Sequence, residues 1–157
     1  MVTGQLGQLI QELAQELNLK LDTGPNDSCL INIPGNISIQ MELDRSQKFF
    51  LIVANLGTVP VGKYREEIFK EALQYNVLPT NDIGSFGYSD AADCLILFRM
   101  LHTGGLSGSK IKEVLFKMID LGRVWKTSIE QGEHPPQDYK AVLGDMTTEK
   151  ILQQKSS

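Results

Sequence analysis

The first apolar residues of the chain recur with the spacing of one helical face. Leu6, Leu9, Ile10, Leu13 and Leu17 form this stripe, and glutamine and glutamate fill the positions between them. A helix with such a pattern buries its apolar side and exposes its polar side to solvent. The sequence therefore predicts a first helix that packs against the rest of the fold.

The next part of the chain changes from helical spacing to the alternation of strands. Apolar residues alternate with polar ones in Cys29 to Ile33 and in Ile37 to Leu43, and Phe49 to Leu56 is a mostly apolar run. The connections Pro34 to Asn36 and Asp44 to Lys48 are short and rich in turn-forming residues. Three strands joined in this way predict an antiparallel meander.

The second half of the chain predicts a helix, two strands and a longer helix. The first of these helices begins near Tyr64, and the strands are Gly84 to Tyr88 and Cys94 to Leu101. A loop, Thr103 to Gly108, leads into a long amphipathic helix that ends before Gly132 and carries the only tryptophan. Either Ser107 or Ser109 is expected to cap the start of that helix.

These elements together predict the α+β class, with a twisted antiparallel sheet and helices packed on it. The predicted order is helix, three strands, helix, two strands, helix. We assign residues 1–133 to one domain. Residues 134–157 are expected to form a mobile tail with at most a weak helix near residues 148–154.

The charge and the two cysteines limit the kind of protein this is. The 157-residue chain has a net charge of −4 and a sequence pI of about 5.2, which argues against a nucleic-acid partner. Cys29 and Cys94 lie in apolar strands, so we expect buried free thiols and a reducing compartment. No cleavable leader or membrane-spanning run is evident, and we expect a cytoplasmic protein.

Residues for catalysis or metal binding do not form a recognisable pattern. Cys94 and His102 flank one predicted strand, and eight residues of extended chain separate them by about 26 Å, too far for a nucleophile and its base. No metal-ligand spacing occurs, and Ser109 separates Gly108 from Lys110, which breaks the resemblance to a phosphate-binding loop. We predict no catalytic residue, metal or cofactor, with a small hydrolase using Cys94 kept as a rival hypothesis.

Apolar surface is the remaining signal. A sheet has two faces, and three helices of the predicted lengths are too few to cover both. Uncovered apolar patches on a soluble protein mark an interaction site or a dimer interface.

The order of elements and several local segments resemble a known family, the class I type III secretion chaperones, or Tir chaperone (CesT/SycE-like) family. The resemblance spans roughly Leu6 to Glu133 and is closest to chlamydial-type members. The segments that carry it are Leu9 to Leu13, Cys29 to Ile33, Ile68 to Leu73, Ile83 to Tyr88, Leu95 to Leu97 and Val124-Trp125.

The resemblance implies a small acidic protein of the bacterial cytoplasm that dimerises and catalyses no reaction. Such chaperones bind the non-globular N-terminal segment of a secreted effector or translocator and keep it competent for export. A homodimer is expected, and a heterodimer with a second chaperone is open. The alternative is a small α+β adaptor that binds folded partners.

The resemblance also implies two sets of site residues. The dimer interface falls on the second helix and fourth strand, at Phe69, Leu73, Phe86 and Tyr88. The cargo, meaning the bound effector segment, is expected to contact apolar residues of the first helix and the first two strands, at Leu9, Leu13, Ile31, Ile33, Ile39 and Met41.

Overall fold

A computed structural model describes residues 4–24, 27–78 and 82–136 and contains the predicted elements in the predicted order. The fold is α+β, as expected. Its helices and strands are α1 (Gly4–Leu17), β1 (Ser28–Ile33), β2 (Ile37–Leu43), β3 (Phe49–Asn55), α2 (Lys63–Asn76), β4 (Ser85–Ser89), β5 (Cys94–His102) and α3 (Gly108–Gln131).

The five strands form one antiparallel sheet in the order β1-β2-β3-β5-β4. The register places apolar residues opposite each other across the whole sheet, because partners in neighbouring strands point to the same face. One such row contains Ile31, Ile39, Ala54, Leu97 and Phe86. All five are buried, so this inner face of the sheet is continuous with the core.

Helices α1 and α3 pack on each other and cover the inner face. The first residue of α3, Gly108, lies directly against the backbone of Glu12, and a Cβ atom there would be 2.5 Å from the Glu12 carbonyl carbon. Ser107 caps α3 by accepting a hydrogen bond from the Lys110 backbone N–H at 3.3 Å, which confirms the predicted cap. Glycine at position 108 therefore allows the two helices to meet.

Helix α2 lies beside the β4 edge of the sheet. The Asn76 side chain donates to the Phe86 carbonyl at 2.9 Å and accepts from the Phe86 N–H at 2.7 Å. It thus occupies part of the position that another strand would take next to β4. At the opposite edge, β1 has a strand neighbour on one side only within the described ranges.

The chain after α3 turns back onto α2. Gly132 ends the helix with a left-handed backbone (φ 69°). The Tyr64 hydroxyl donates to the carbonyl oxygens of Ser128 at 3.2 Å and Glu133 at 2.6 Å. Residues 134–136, assigned above to a tail, are placed against α2, whereas the predicted helix near residues 148–154 lies outside the described residues.

Candidate functional site

The face of the sheet opposite the helices carries a patch of partly exposed apolar side chains, which we call the outer patch. The exposed fraction is 60% for Leu30 and 50% for Met100, and the other members are of intermediate burial. Of the described helices, α1 and α3 cover the inner face and α2 lies beside the β4 edge, so this patch is open to solvent. Its members are Leu30, Phe49, Leu51, Val53, Ile96, Phe98 and Met100.

The register makes the outer patch continuous across the middle strands. Val53 is opposite Phe98, and Leu51 of the same strand is opposite Met100. On β2 the facing residues are the polar Gln40 and Glu42. The patch is thus an apolar centre on β3 and β5, with a polar strip on β2 between that centre and Leu30 on β1.

The six predicted cargo-contact residues are on the other side of the sheet or in the helix that covers it. None of them is more than 7% exposed, and Leu13, Ile39 and Met41 have no exposed surface. The alternation of the strand residues correctly indicated that one face of the sheet is apolar and buried. That face is covered by α1 and α3 and is not exposed to a partner in the protomer. In the protomer these side chains shape the core beneath the outer patch; the set is Leu9, Leu13, Ile31, Ile33, Ile39 and Met41.

The sequence pattern did not single out the outer-patch residues, because β3 and β5 are apolar on both faces. Runs such as Phe49 to Asn55 give no alternation from which to choose a face. A usable signal was present nevertheless. A strand that is apolar throughout, in a domain with too few helices to cover both faces, exposes some of its apolar side chains.

A second apolar surface lies on α2 and β4, where the resemblance implied a dimer interface. The rings of Phe69 and Tyr88 are 5.5 Å apart between centroids, and the exposed fractions are 66% for Leu73 and 43% for Tyr88. Phe86 differs from these three because it is 4% exposed and packs on Trp125, with 4.1 Å between ring centroids. We call Phe69, Leu73 and Tyr88 the α2–β4 surface.

Charged and polar groups hold the α2–β4 surface in place. The Tyr88 hydroxyl donates to Asp93 Oδ1 at 2.5 Å, and Arg65 Nη2 is 3.2 Å from the same oxygen. The hydrogen bond from Tyr88, aided by Arg65, lowers the pKa of Asp93, and the same bond raises the pKa of Tyr88. The Arg65 guanidinium also lies over the rings of Phe69 and Tyr88, at 5.7 and 5.8 Å. The aromatic part of the surface is therefore preorganised.

The two thiols have the character of core residues. Cys29 and Cys94 are free and buried, as predicted, and burial raises the pKa of both thiols. A buried thiol with a raised pKa is a poor nucleophile, which weakens the hydrolase hypothesis. Among residues 4–24, 27–78 and 82–136, no group of three or more His, Cys, Asp or Glu side chains is arranged to hold a metal ion.

The helices in the described part of the chain are too short or too polar to cross a membrane.

Comparison with known proteins identifies the family. The sequence model of the Tir chaperone protein (CesT) family matches residues 8–126, which include every strand and most of the helices. No curated protein sequence matches the chain significantly.

Several solved structures share the fold at low sequence identity. The chain matches a structure of the HopA1-SchA chaperone-effector complex (TM-score 0.64, 14% identity, 78% of this chain and 94% of that one). It also matches a structure of the ExsC-ExsE complex, with a TM-score of 0.66 and 15% identity over 77% of this chain and 90% of that one. A third match is the heterodimeric ExoU-SpcU complex from the type III secretion system of Pseudomonas aeruginosa. Its TM-score is 0.56, with 20% identity over 80% of this chain and 98% of that one.

These comparisons agree with the open apolar surfaces and the buried thiols. Proteins of the matched family act in the cytoplasm and are binding proteins without a catalysed reaction. The closer likeness to chlamydial-type members stays a prediction. The chain belongs to the Tir chaperone protein (CesT) family and is a type III secretion chaperone, not an enzyme.

Proposed function

We propose that this chaperone binds the non-globular N-terminal segment of a secreted effector or translocator in the bacterial cytoplasm. Binding keeps the segment soluble and competent for export. The observation that carries the proposal is the outer patch, which lies on the open face of the sheet next to the edge of β1 that has no strand neighbour within the described ranges.

An extended segment fits this location in two ways. Its backbone can pair with the outer edge of β1, as in other cases of strand addition. Its apolar side chains then lie next to Leu30 and cross the sheet toward Val53 and Met100. Removing apolar surface from water stabilises such contacts by about 25 cal/mol per Å². In this proposal the six buried residues predicted above support the surface from inside, and the outer patch makes the contacts.

The comparisons support the choice of partner. The HopA1-SchA structure is that of a chaperone with an effector, and ExoU-SpcU comes from a type III secretion system. This chain shares their fold and belongs to the Tir chaperone family. A secreted, unfolded segment is therefore the partner we propose in preference to a folded protein.

We further propose that two protomers associate through the α2–β4 surface. Leu73 is 66% exposed in the protomer and follows Phe69 by four positions on α2, so the two side chains lie on the same face of the helix. Phe86 contributes from within by holding β4 against Trp125. A homodimer is the simplest arrangement, since one apolar surface can pair with its own copy around a two-fold axis.

Co-expression with an effector segment tests the proposed function. We expect the tagged N-terminal segment of the effector to co-purify with the chaperone and to resist limited proteolysis. Met100→Asp, which introduces a charge into the outer patch, is expected to weaken binding by at least about tenfold, as a charge at the centre of an interface does. Val61→Asp, at an 86% exposed valine outside the patch, is the matched control.

Two results would contradict the proposal. If Met100→Asp and Val61→Asp bind the segment equally well, the outer patch is not the binding surface. If folded partners co-purify while the N-terminal segment remains sensitive to protease, the protein acts as the adaptor considered as the alternative.

A further inference from the structure

A groove of 430 Å³ lies between α2 and the C-terminal part of α3. Glu71 of α2 and Trp125 of α3 line it, and Pro135 and Pro136 form a wall from the chain that follows α3. None of its lining residues belongs to the outer patch or to the α2–β4 surface. Residues 133–136, which we call the strap, have no regular secondary structure. Their contacts with the helices therefore hold this wall in place.

The strap is fixed to α2 by His134. The Nε2 atom of His134 is 3.1 Å from Glu67 Oε2, and its Nδ1 atom is 3.0 Å from Glu71 Oε1. The two glutamates are four positions apart on α2 and lie on the same face of that helix. The Tyr64 hydroxyl adds a contact by donating to the Glu133 carbonyl at 2.6 Å. One imidazole ring thus joins the strap to two successive turns of α2.

The contacts of His134 are complete only when its ring is protonated. A carboxylate accepts hydrogen bonds and donates none, and each ring nitrogen atom faces a carboxylate oxygen. A neutral imidazole has one N–H and would turn a lone pair toward Glu67 or Glu71. The other oxygen of Glu71, Oε2, is buried and has no hydrogen-bond partner among the residues that the structure describes. Loss of the proton therefore removes the cation that faces this carboxylate at Oε1.

The other groups around the ring do not replace this charge. The Tyr64 ring is 6.1 Å from the His134 ring between centroids. Burial, together with the charges of Glu71 and Glu133, raises the pKa of Tyr64, so its hydroxyl stays neutral while the histidine titrates. From α3, the contact receives the Ser128 carbonyl, which accepts from Tyr64 at 3.2 Å and does not titrate. Histidine is the side chain whose ordinary pKa lies between pH 5 and 8, so His134 is the group that changes charge here.

We propose that the strap is a pH-dependent wall of the groove. With His134 charged, the strap lies on α2 and shields the groove side of Trp125. With His134 neutral, the strap leaves α2 and the groove side of Trp125 opens to solvent. The inference is independent of the proposed effector binding and of the proposed dimer.

The direction of the change follows from the surroundings of the ring. The hydrogen bond to Glu71, with the charges of Glu71 and Glu67, raises the pKa of His134 above its ordinary value of about 6.5. The strap is therefore closed below that value and opens as the pH rises through the raised pKa.

Acrylamide quenching of Trp125 fluorescence on the full chain tests the proposal. Trp125 is the only tryptophan and is 5% exposed, so the signal has a single source inside the groove. We expect its quenching constant to rise at least about twofold between about pH 5.5 and about pH 9, as the population of closed straps falls. The midpoint should coincide with the titration of the His134 ring measured by NMR. The chain has two histidines, so a His102→Gln variant assigns the resonances and is expected to keep the quenching profile.

Two variants separate the charge of His134 from its bulk. His134→Lys keeps a positive charge at high pH and is expected to hold the quenching constant low up to about pH 9. His134→Gln removes the charge and should give the high quenching constant at every pH. Glu67→Gln removes one of the two facing carboxylates and should move the midpoint of the unchanged ring to lower pH by about half a pH unit. Circular dichroism establishes that each variant is folded.

Three results would overturn the proposal. The first is a quenching constant of the unchanged protein that does not vary with pH. The second is a midpoint that differs from the titration of His134, which would assign the change to another group. The third is a His134→Lys profile identical to that of His134→Gln, which would show that charge does not hold the strap.

Discussion

Met41 and Met100 show how position decides the role of the same residue type. Met41 has no exposed surface, whereas Met100 on the opposite face of the sheet is 50% exposed. An unbranched methionine side chain fills core space in the first case and offers an adaptable contact in the second. The two residues therefore separate stability from binding.

We predict that Met41→Ala lowers the free energy of unfolding by about 2–5 kcal/mol, because it leaves a cavity in the core. Met100→Ala is expected to change it by less than about 0.5 kcal/mol. Urea unfolding followed by circular dichroism measures both values. Equal losses in the two variants would show that Met100 is packed against another part of the chain.

His134 gives the fold a contact that depends on pH. The hydrogen bond to Glu71 is the main cause of its raised pKa, and the charge of Glu71 and the nearby Glu67 add to it. A pKa that is raised in the folded state means that folding favours the protonated imidazole. The resulting stabilisation is complete below the ordinary pKa of about 6.5 and is lost as the pH rises through the raised value.

We predict that His134→Gln lowers the melting temperature at about pH 5.5 and that this difference shrinks as the pH rises through the raised pKa of His134. Melting curves recorded across this range for both proteins provide the measurement. His102→Gln serves as the control, because the His102 ring contacts Phe49 (5.5 Å between centroids) and not a pair of carboxylates. A His134→Gln difference that is constant with pH would show that the contact is not ionic.

At the scale of elements, the crossing of α1 and α3 depends on the absence of a side chain at Gly108. The backbone of Glu12 occupies the space where a Cβ atom would be. Alanine favours a helix more than glycine by about 1 kcal/mol, so helix propensity and packing make opposite predictions here.

We predict that packing dominates and that Gly108→Ala lowers the free energy of unfolding by about 1–3 kcal/mol, because the two helices must separate. Ser109→Ala, at the next and exposed position of α3, is expected to have an effect within about 0.5 kcal/mol. Chemical denaturation of both variants decides the matter. A Gly108→Ala protein that is more stable than the original would indicate that the helices adjust at no cost.

The two edges of the sheet differ in whether their backbone groups are covered. Asn76 pairs with both backbone groups of Phe86 at the β4 edge, so α2 protects that edge from another strand. The β1 edge has no comparable strand neighbour within the described ranges. This asymmetry is the reason for placing effector pairing at β1 and protomer pairing at α2 and β4.

At the scale of the whole molecule, the proposed dimer predicts the effect of a charge on the α2–β4 surface. We expect Leu73→Asp to convert a dimer of twice 17.5 kDa into a folded monomer, because a charge would be buried in the interface. Sedimentation equilibrium measures the mass directly. Leu19→Asp changes a leucine that is 44% exposed after α1 and is expected to leave the dimer intact. A dimer that survives Leu73→Asp would place the interface elsewhere.

Local pattern was sufficient to predict the elements, their order and the α+β class. The period of apolar residues distinguishes a helix from a strand. Side chains on one face recur about every 3.6 residues in a helix and every second residue in a strand. Turn and cap residues act on their own neighbours, so the sequence alone limited the cap of α3 to Ser107 or Ser109, and the structure shows that it is Ser107. The same holds for the buried cysteines, which lie in apolar strands.

Only the tertiary structure decided which apolar faces are covered. The position of α1 and α3 buried Ile39 and left Met100 exposed, although both lie on apolar strands. The contact of His134 with Glu71 joins residues 63 positions apart, and no local pattern contains it. Periodicity reports that a side chain prefers to leave water, whereas packing between distant elements determines whether the fold itself or a partner provides the cover.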